Sequence, residues 1–490
     1  MADKTIIMHI SDLHFGIDKA PPEVWQYSRE IYQKFLNGFS KMIKEEPSWI
    51  PDILVISGDI AWNGSEDNYK TANAFFEDFF SIEGNRITKE NVILCFGNHD
   101  VDRKAFENSI YTCGEEKLEN RNRGIIIYRP KPNINDLNDY HAIPLHIGHR
   151  HPHFQYIERF CQDMKFSPLS LSNADNSYKY AYGSRQNVNG IDFICLNTEW
   201  DCWGQWDYWE KNNDSSLLRI GLETYKEAIN KLTGDPFMLG TRPRFVVYHR
   251  PLECLHSYEQ FCEDANGSDR CVANLFYRQT DVSLTGHIHQ TYGIYDGNNG
   301  AHTRISAGAV YAKNGIKKSK FSFSCNLISI PKTLKEGANV CEIRQFRYYP
   351  TPSDVQWGLV PFLDTFDIIR IKDYAEVSKC LRALEDYERN ECDNAYPRVL
   401  FNNLSESGKQ IVISTRGARR LNEIFKEELI KQRKKKFIAP LASFIEKNSN
   451  ANSSGGNSIY STKSDEKVKA LELDMDGTSS GGIVSPDPKR

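Results

Sequence analysis

Asp12 and His14 stand two residues apart just after the apolar run 5–10, in HISDLHFG. In an extended chain, residues two apart point the same way, so both side chains can face one ion. Four more pieces of this kind follow. They are Asp59 in ISGDIAWNG, then Asn98, His99 and Asp100 in FGNHD, then His249 in VVYHRP, then His287 and His289, again two apart, in LTGHIHQ. Each comes at the end of a short apolar run. Polar side chains at the end of a buried strand are costly to desolvate unless something binds them. The set holds three carboxylates, one amide and five imidazoles, with no thiolate. Any single piece occurs by chance; all five in order, each after a strand-like run, is the signal.

Imidazole with carboxylate suits manganese, iron or zinc better than calcium or magnesium. The donors are too many for one tetrahedral ion. Two ions sharing a carboxylate would use them, and a pair about 3.5–4 Å apart polarises a phosphoryl group and lowers the pKa of a bridging water. That supplies a nucleophile and charge neutralisation for in-line attack at phosphorus. Asn98 would then ligate through its amide oxygen. His99 is left to face the substrate, to protonate the leaving oxygen or to stabilise developing negative charge. Asp100 is placed in sequence to orient His99.

The elements that must position these groups are short strands alternating with helices. Residues 5–10, 53–57, 92–96, 191–196, 244–248 and 281–285 read as strands. Residues 24–46, with Ile31, Phe35, Phe39, Met42 and Ile43 near helical spacing, read as a helix, as do 68–80 with Phe75, Phe76, Phe79 and Phe80. This is an α/β pattern, in which functional residues collect at the carboxyl ends of strands. Residues 103–190 break the rhythm and are expected to be an insertion, a cap over the site. Residues 300–349 read as further strands, mainly antiparallel. Residues 351–446 are expected to be a mostly helical extension. Residues 447–490, rich in Ser, Gly, Asn and Lys, are expected to be a disordered tail.

The chain has 490 residues and a formal charge of −4, which favours neither a nucleic-acid binder nor a membrane-surface protein as a whole. No apolar stretch approaches the length of a transmembrane helix, and the first apolar run is too short for a secretory signal. The 12 cysteines show no CxxC spacing, which fits reduced, mostly buried thiols in a cytoplasmic protein.

The order D-x-H, G-D, G-N-H-D, H, G-H-x-H resembles the calcineurin-like metallophosphoesterase superfamily, over roughly residues 5–350. The resemblance implies a four-layer αββα sandwich with a dinuclear site at one edge of the sheets. It implies that Asp12, His14 and His289 hold a first metal ion, that Asn98, His249 and His287 hold a second, and that Asp59 bridges both. His99 is implied as the catalytic histidine outside the ligand set. Two divalent ions are the expected cofactors, as manganese, iron or zinc, with manganese the first choice in vitro. The GDIAWNG and GNHD stretches look more like the bacterial class III cyclic-nucleotide phosphodiesterases than like the protein phosphatases, which carry GDxVDRG and GNHE. The nucleases of the Mre11 and SbcD type share the metal pattern.

Other features bear on the substrate. Arg103 and Arg250 directly follow site motifs; each reads either as a phosphate contact or as a surface ion-pair partner. The stretch 141–153 holds five histidines, a solvated loop or a cap contacting phosphate. The stretch 199–209 holds four tryptophans, buried or stacking a base. Residues 416–436 carry nine Lys or Arg against three Glu. That segment, Arg416–Lys436, reads as an amphipathic helix on an apolar face that includes Leu421, Ile424 and Phe425, or as a salt-dependent nucleic-acid contact. Three functions follow from these features: a phosphodiesterase on a nucleotide or similar diester, a nuclease, or a regulatory protein using the fold as a scaffold. A phosphomonoesterase is a further alternative. The oligomeric state has no signal in the sequence.

Overall fold

The strand-like runs line up in two sheets. The computed structural model describes residues 4–16, 22–102, 118–120, 125–127, 154–170, 179–199, 218, 220–232, 242–255, 259, 272–296, 302–311, 323–335, 337–350, 355–361, 363–370, 374–388, 395–405, 408–409, 412–413, 421–422 and 424–425. In the first sheet β1 (Lys4–Ile10), β2 (Ile53–Ser57) and β3 (Val92–Cys95) run parallel. The other edge of β1 pairs antiparallel with β12 (Ser324–Pro331), which pairs with the long β13 (Gly337–Pro350). The far side of β13 carries β14 (Val355–Leu359) and β15 (Asp364–Arg370).

The second sheet runs β10 (Tyr292–Asp296), β11 (His302–Ser306), β9 (Val282–Thr285), β8 (Arg244–Val247), β7 (Ile191–Cys195), β6 (Gly183–Val188). Its four inner strands are parallel and its two edge strands antiparallel. A separate short pair joins β4 (Leu118–Asn120) to β5 (Ile125–Ile127).

The pleat sorts the side chains. Ile7, Ile53, Val55 and Ile93 meet Phe193, Phe245, Val247 and Leu284 of the second sheet in one buried layer. Ile6, Met8, Ile10, Leu54 and Ile56 point the other way. They are covered by α1 (Pro22–Glu45) and α2 (Glu66–Ser81) through Ile31, Phe35, Phe39, Phe75, Phe76 and Phe79. Each of these buried side chains contributes about 1.5–3 kcal/mol of hydrophobic stabilisation. Pro47, two residues past Glu45, cannot donate the backbone N–H a longer helix needs there. On the outer face of the second sheet, Ile194, Val246 and Tyr248 pack with Tyr225 of α4 (Leu222–Ile229) and Phe276 of α5 (Val272–Gln279). The order of layers is helix, sheet, sheet, helix, the αββα sandwich expected.

Several boundaries differ from expectation. The described residues 154–170 and 179–190 belong to the core, not to a cap. The helix α3 (Gln155–Asp163) packs Phe160 against Tyr69 and Phe76, and β6 is an edge strand of the second sheet. Their short length and the charged stretch before them hid the alternation. The first sheet also continues past residue 350, because β14 and β15 pair with β13. The helical extension starts only with α6 (Tyr374–Glu388) and α7 (Ala395–Asn403).

Residues 1–417 and 418–490 form two compact units. In the second unit Leu421, Ile424 and Phe425 are helical and buried. Arg103, the His-rich stretch 141–153, the Trp-rich stretch beyond Glu199, the lysines and arginines of 416–436 and the tail 447–490 lie outside the described residues. Among the described residues, no helix is long and apolar enough to cross a membrane. The described cysteines are thiols, and all but half-buried Cys254 are buried.

Candidate metal centre

All five motifs lie at carboxyl ends of parallel strands. Asp12 and His14 follow β1, Asp59 follows β2, Asn98 to Asp100 follow β3, His249 follows β8, and His287 and His289 follow β9. The first two loops are laced together. The backbone N–H of Asp12 donates to the Gly58 carbonyl at 3.1 Å, and those of Leu13 and His14 donate to the Asp59 carbonyl at 2.8 and 3.0 Å. Asp12, His14, Asp59, His287 and His289 all have positive φ, between 50° and 70°. The D-x-H and H-x-H pairs therefore do not extend their strands. Their alternate residues turn back in left-handed conformation, which still brings both side chains to one side. Such residues cost of order 1–3 kcal/mol each and persist where surrounding structure over-determines them, commonly at functional sites.

Two groups of donors result. In the first, Asp12 Oδ1 lies 3.0 Å from His289 Nε2 and 3.8 Å from His14 Nε2, and those two nitrogens are 3.3 Å apart. In the second, Asn98 Oδ1 lies 3.1 Å from His249 Nε2 and 3.0 Å from His287 Nδ1. Asp59 Oδ2 lies 3.3 Å from His249 Nε2. Donor atoms of Asp59 also lie within 4.8 Å of those of Asp12 and His249, and of His14 and His99. Asp59 thus stands between the two groups, where a shared ligand belongs.

The protonation states fit divalent ions. His249 Nδ1 lies 2.7 Å from the Ser57 carbonyl, which can only accept, so Nδ1 carries a proton. In neutral imidazole, Nε2 is then a bare lone pair aimed at two oxygens. Without a cation a proton must stand there. Burial opposes the charge, but the Asp59 carboxylate, helped by Asp12 and Glu199, pushes the His249 imidazole up to about 10. Burial and the neighbouring His99 hold His14 down at about 3, so its lone pair is available. Burial and the Arg250 guanidinium hold His287 well below the ordinary range. Burial pushes the Asp12 and Asp59 carboxyls up, yet the surrounding imidazoles win and both are held below the usual carboxylate range. Buried Asp12 Oδ1 and His14 Nδ1 form no geometrically satisfactory hydrogen bond among the described residues. Two ionised carboxylates, an amide oxygen and imidazole nitrogens turned on one another are a donor set for two cations.

His99 is half-buried beside this set. Its backbone N–H donates to Asp59 Oδ1 at 2.8 Å, and its ring meets that of His14 edge-on at 4.7 Å. The expectation that Asp100 orients it is corrected. His99 Nδ1 donates instead to the Trp62 carbonyl at 2.6 Å. The Asp100 carboxylate accepts from the backbone N–H groups of Ala61 and Gly97, at 2.9 and 3.0 Å, and from Tyr69 Oη at 3.0 Å. It clamps the β2 and β3 loops together. Burial, with Asp59 adding, pushes its carboxyl up to about 7 despite these donors.

Arg250 is buried, so its ion pair is not a surface one. Its Nε donates to both carboxylate oxygens of Glu199, at 3.2 and 3.1 Å, and its Nη1 lies 3.3 Å from His287 Nε2. Trp62 and Glu199 are the site residues the sequence reading missed. Trp62 lies inside the GDIAWNG motif itself. Glu199 follows the apolar run 191–196 in LNTE, the same polar-after-strand signature that marked the five motifs.

The sequence of residues 5–291 matches the family model for calcineurin-like phosphoesterases. No curated protein matches the chain by sequence. Among solved structures, the chain is similar to a purple acid phosphatase from yellow lupin (Lupinus luteus) seeds at 14 % identity and a TM-score of 0.37, over 76 % of this chain. It spans 55 % of the length of that enzyme. It is also similar to a dimetal phosphatase from Danio rerio at 11 % identity and a TM-score of 0.32, over 74 % of this chain and 99 % of the other. With the donor set at the ends of β1, β2, β3, β8 and β9 and a family match over more than half its length, the chain belongs to the calcineurin-like phosphoesterases, a family of metal-dependent phosphoester hydrolases.

Proposed function

We propose that this chain is a two-metal phosphodiesterase acting on small nucleotide-type diesters. The observation that carries the reading is the position of Asp59 between two groups of facing lone pairs, Asp12–His14–His289 and Asn98–His249–His287. Divalent ions, when bound, neutralise charge at phosphorus and make nearby water acidic enough to ionise near neutral pH. Asp12, His14 and His289 would hold one ion, Asn98, His249 and His287 would hold the other, and Asp59 would serve both. His99 has its Nδ1 proton committed to the Trp62 carbonyl, so any proton it transfers is the one on Nε2. As a water oxygen bonds to phosphorus and the bond from phosphorus to the leaving oxygen breaks, the electron pair of the broken bond stays on the leaving oxygen. Nε2 of the His99 imidazolium delivers its proton there, and the proton of the attacking water passes to solvent.

Charge balance supports a diester. Among the described residues, Arg250 is the guanidinium beside the donors, and buried Glu199 offsets its charge. A singly charged diester loses less from that balance than a doubly charged monoester. The GDIAWNG and GNHD motifs support a small nucleotide-type diester rather than a phosphoprotein.

The test is product analysis with manganese present. Bis(p-nitrophenyl) phosphate, p-nitrophenyl phosphate, 3′,5′-cyclic AMP and a single-stranded oligonucleotide are offered in parallel, with folded Asp59→Asn protein as control. Opening of the small diesters ahead of the monoester, lost in Asp59→Asn, is expected. Preference for the monoester, or cleavage of the oligonucleotide alone, would overturn it.

A further inference from the structure

We infer that Trp62 is a positioning residue for the His99 imidazole, an inference that rests on the reading of His99 as proton donor to the leaving oxygen. Trp62 acts through two parts. Its carbonyl takes the Nδ1 proton at 2.6 Å. Its indole stacks on the His99 ring, with centroids 4.8 Å apart and planes 24° from parallel. The His14 ring stands edge-on to both, 5.4 Å from the indole and 4.7 Å from His99. The imidazole is therefore held by a hydrogen bond at one nitrogen and by a ring on one face.

The clamp is itself held. The Trp62 backbone N–H donates to the Phe15 carbonyl at 2.9 Å, tying it to the loop that carries Asp12 and His14. On one side, the Ala61 N–H donates to Asp100 at 2.9 Å. On the other, the Asn63 N–H donates to the Asn68 side chain of α2 at 3.0 Å. The indole is partly buried against the helix-side core. Both the carbonyl and the ring are thus fixed relative to the metal ligands.

The chemistry of this arrangement differs from that of a carboxylate partner. An amide carbonyl keeps one proton on Nδ1 without adding negative charge beside Asp59, so the ring donates as the imidazolium, from its second proton on Nε2. Nε2 is left as the nitrogen that faces the reaction. Fixing its direction in advance removes a rotational search from the proton-transfer step, and a misplacement of about 1 Å can cost on the order of 10²-fold in rate. The loss should scale with how much the leaving oxygen needs a proton.

Two readouts test this. Thymidine 5′-p-nitrophenyl phosphate and thymidine 5′-phenyl phosphate share one body and differ in how much protonation the leaving group requires. With the manganese-loaded enzyme, Trp62→Ala should lower kcat for the phenyl ester about 10-fold more than for the p-nitrophenyl ester, with KM little changed. Trp62→Phe, which keeps a ring and the carbonyl, should recover most of the difference. An equal loss on both esters, or none, overturns the inference. The second readout needs no turnover. In zinc-loaded protein, at a pH high enough for the His99 ring to be neutral, long-range ¹⁵N–¹H correlation of that ring, assigned by its disappearance in His99→Ala, should show one tautomer, protonated at Nδ1. Trp62→Ala keeps the carbonyl but loses the ring, so the Nδ1 tautomer should persist while the His99 ring signals broaden; in Trp62→Phe they should stay sharp. A tautomer mixture in wild type, or His99 ring signals equally sharp in Trp62→Ala, overturns the inference. Absence of wild-type hydrolysis with the expected tautomer result would instead remove the phosphodiesterase reading.

Discussion

His249 Nε2 lies 3.1 Å from Asn98 Oδ1 while its Nδ1 donates to the Ser57 carbonyl. A neutral imidazole cannot donate at both nitrogens, so this pair is stable only with a cation between them or an extra proton on the ring. That choice makes the site sensitive to pH. The protein stripped of metal has His249 raised from 6.5 to about 10. Its contribution to stability is complete below pH 6.5 and is lost as pH rises toward 10. The melting temperature of chelated protein should fall between pH 7 and 10, and that of loaded protein should fall less. Calorimetric titration of the ion at pH 8 in buffers of different ionisation enthalpy should show proton release, because the ion displaces the Nε2 proton. No proton release would contradict this.

Gly97 approaches Asp59 so closely that a Cβ at 97 would strike the Asp59 carboxylate and backbone nitrogen. Gly97→Ala should therefore lower metal affinity about 10–100-fold through displacement of Asp59, with the circular dichroism spectrum unchanged. Equilibrium dialysis against manganese measures it. Wild-type affinity in this variant would mean that the Asp59 position is not required.

Asp100 is a clamp in this structure, so its loss should show in stability. In Asp100→Asn one carboxylate oxygen becomes an amide N–H₂ facing the donors Ala61 N–H, Gly97 N–H or Tyr69 Oη–H. A buried donor left facing a donor costs about 1–3 kcal/mol. Urea unfolding of the chelated variant should show that loss. Full stability with impaired turnover would instead return Asp100 to a role on His99.

Glu199 and Arg250 form a buried pair, with side chains 0 % and 8 % exposed. Removing one partner strands the other charge. Glu199→Gln and Arg250→Met should each cost about 3–5 kcal/mol, and the double variant should cost much less than their sum. Simple additivity in urea unfolding would mean that the two charges are not coupled.

The sequence carried the site further than it carried the domain. Asp12, Asp59, Asn98 and the histidines stood out because polar groups follow apolar runs that need no polar end. The same rule applied to LNTE would have found Glu199. The role of Trp62 had no such signal, because it works through a backbone carbonyl that any residue possesses, and through a ring whose stacking depends on how the 58–64 loop folds back. Asp100 was misassigned because adjacency in sequence suggested His99 as its partner, whereas the turn at Gly97 sends the carboxylate the other way, to Ala61 and Tyr69. The strand β6 and helix α3 are hard to read because GSRQNV has little apolar content on an edge strand, and the 9 residues of α3 make only about two and a half helical turns. The strands β14 and β15 were missed because long-range pairing with β13, rather than local pattern, places them.

The most direct measurement is the metal content and electron paramagnetic resonance spectrum of manganese-loaded wild-type protein beside Asp59→Asn. About two ions per chain with an exchange-coupled spectrum, reduced to isolated six-line signals or a single ion in Asp59→Asn, is the expected result. One ion or none in wild type, or coupling that survives without the Asp59 carboxylate, would contradict a dinuclear centre built on that residue.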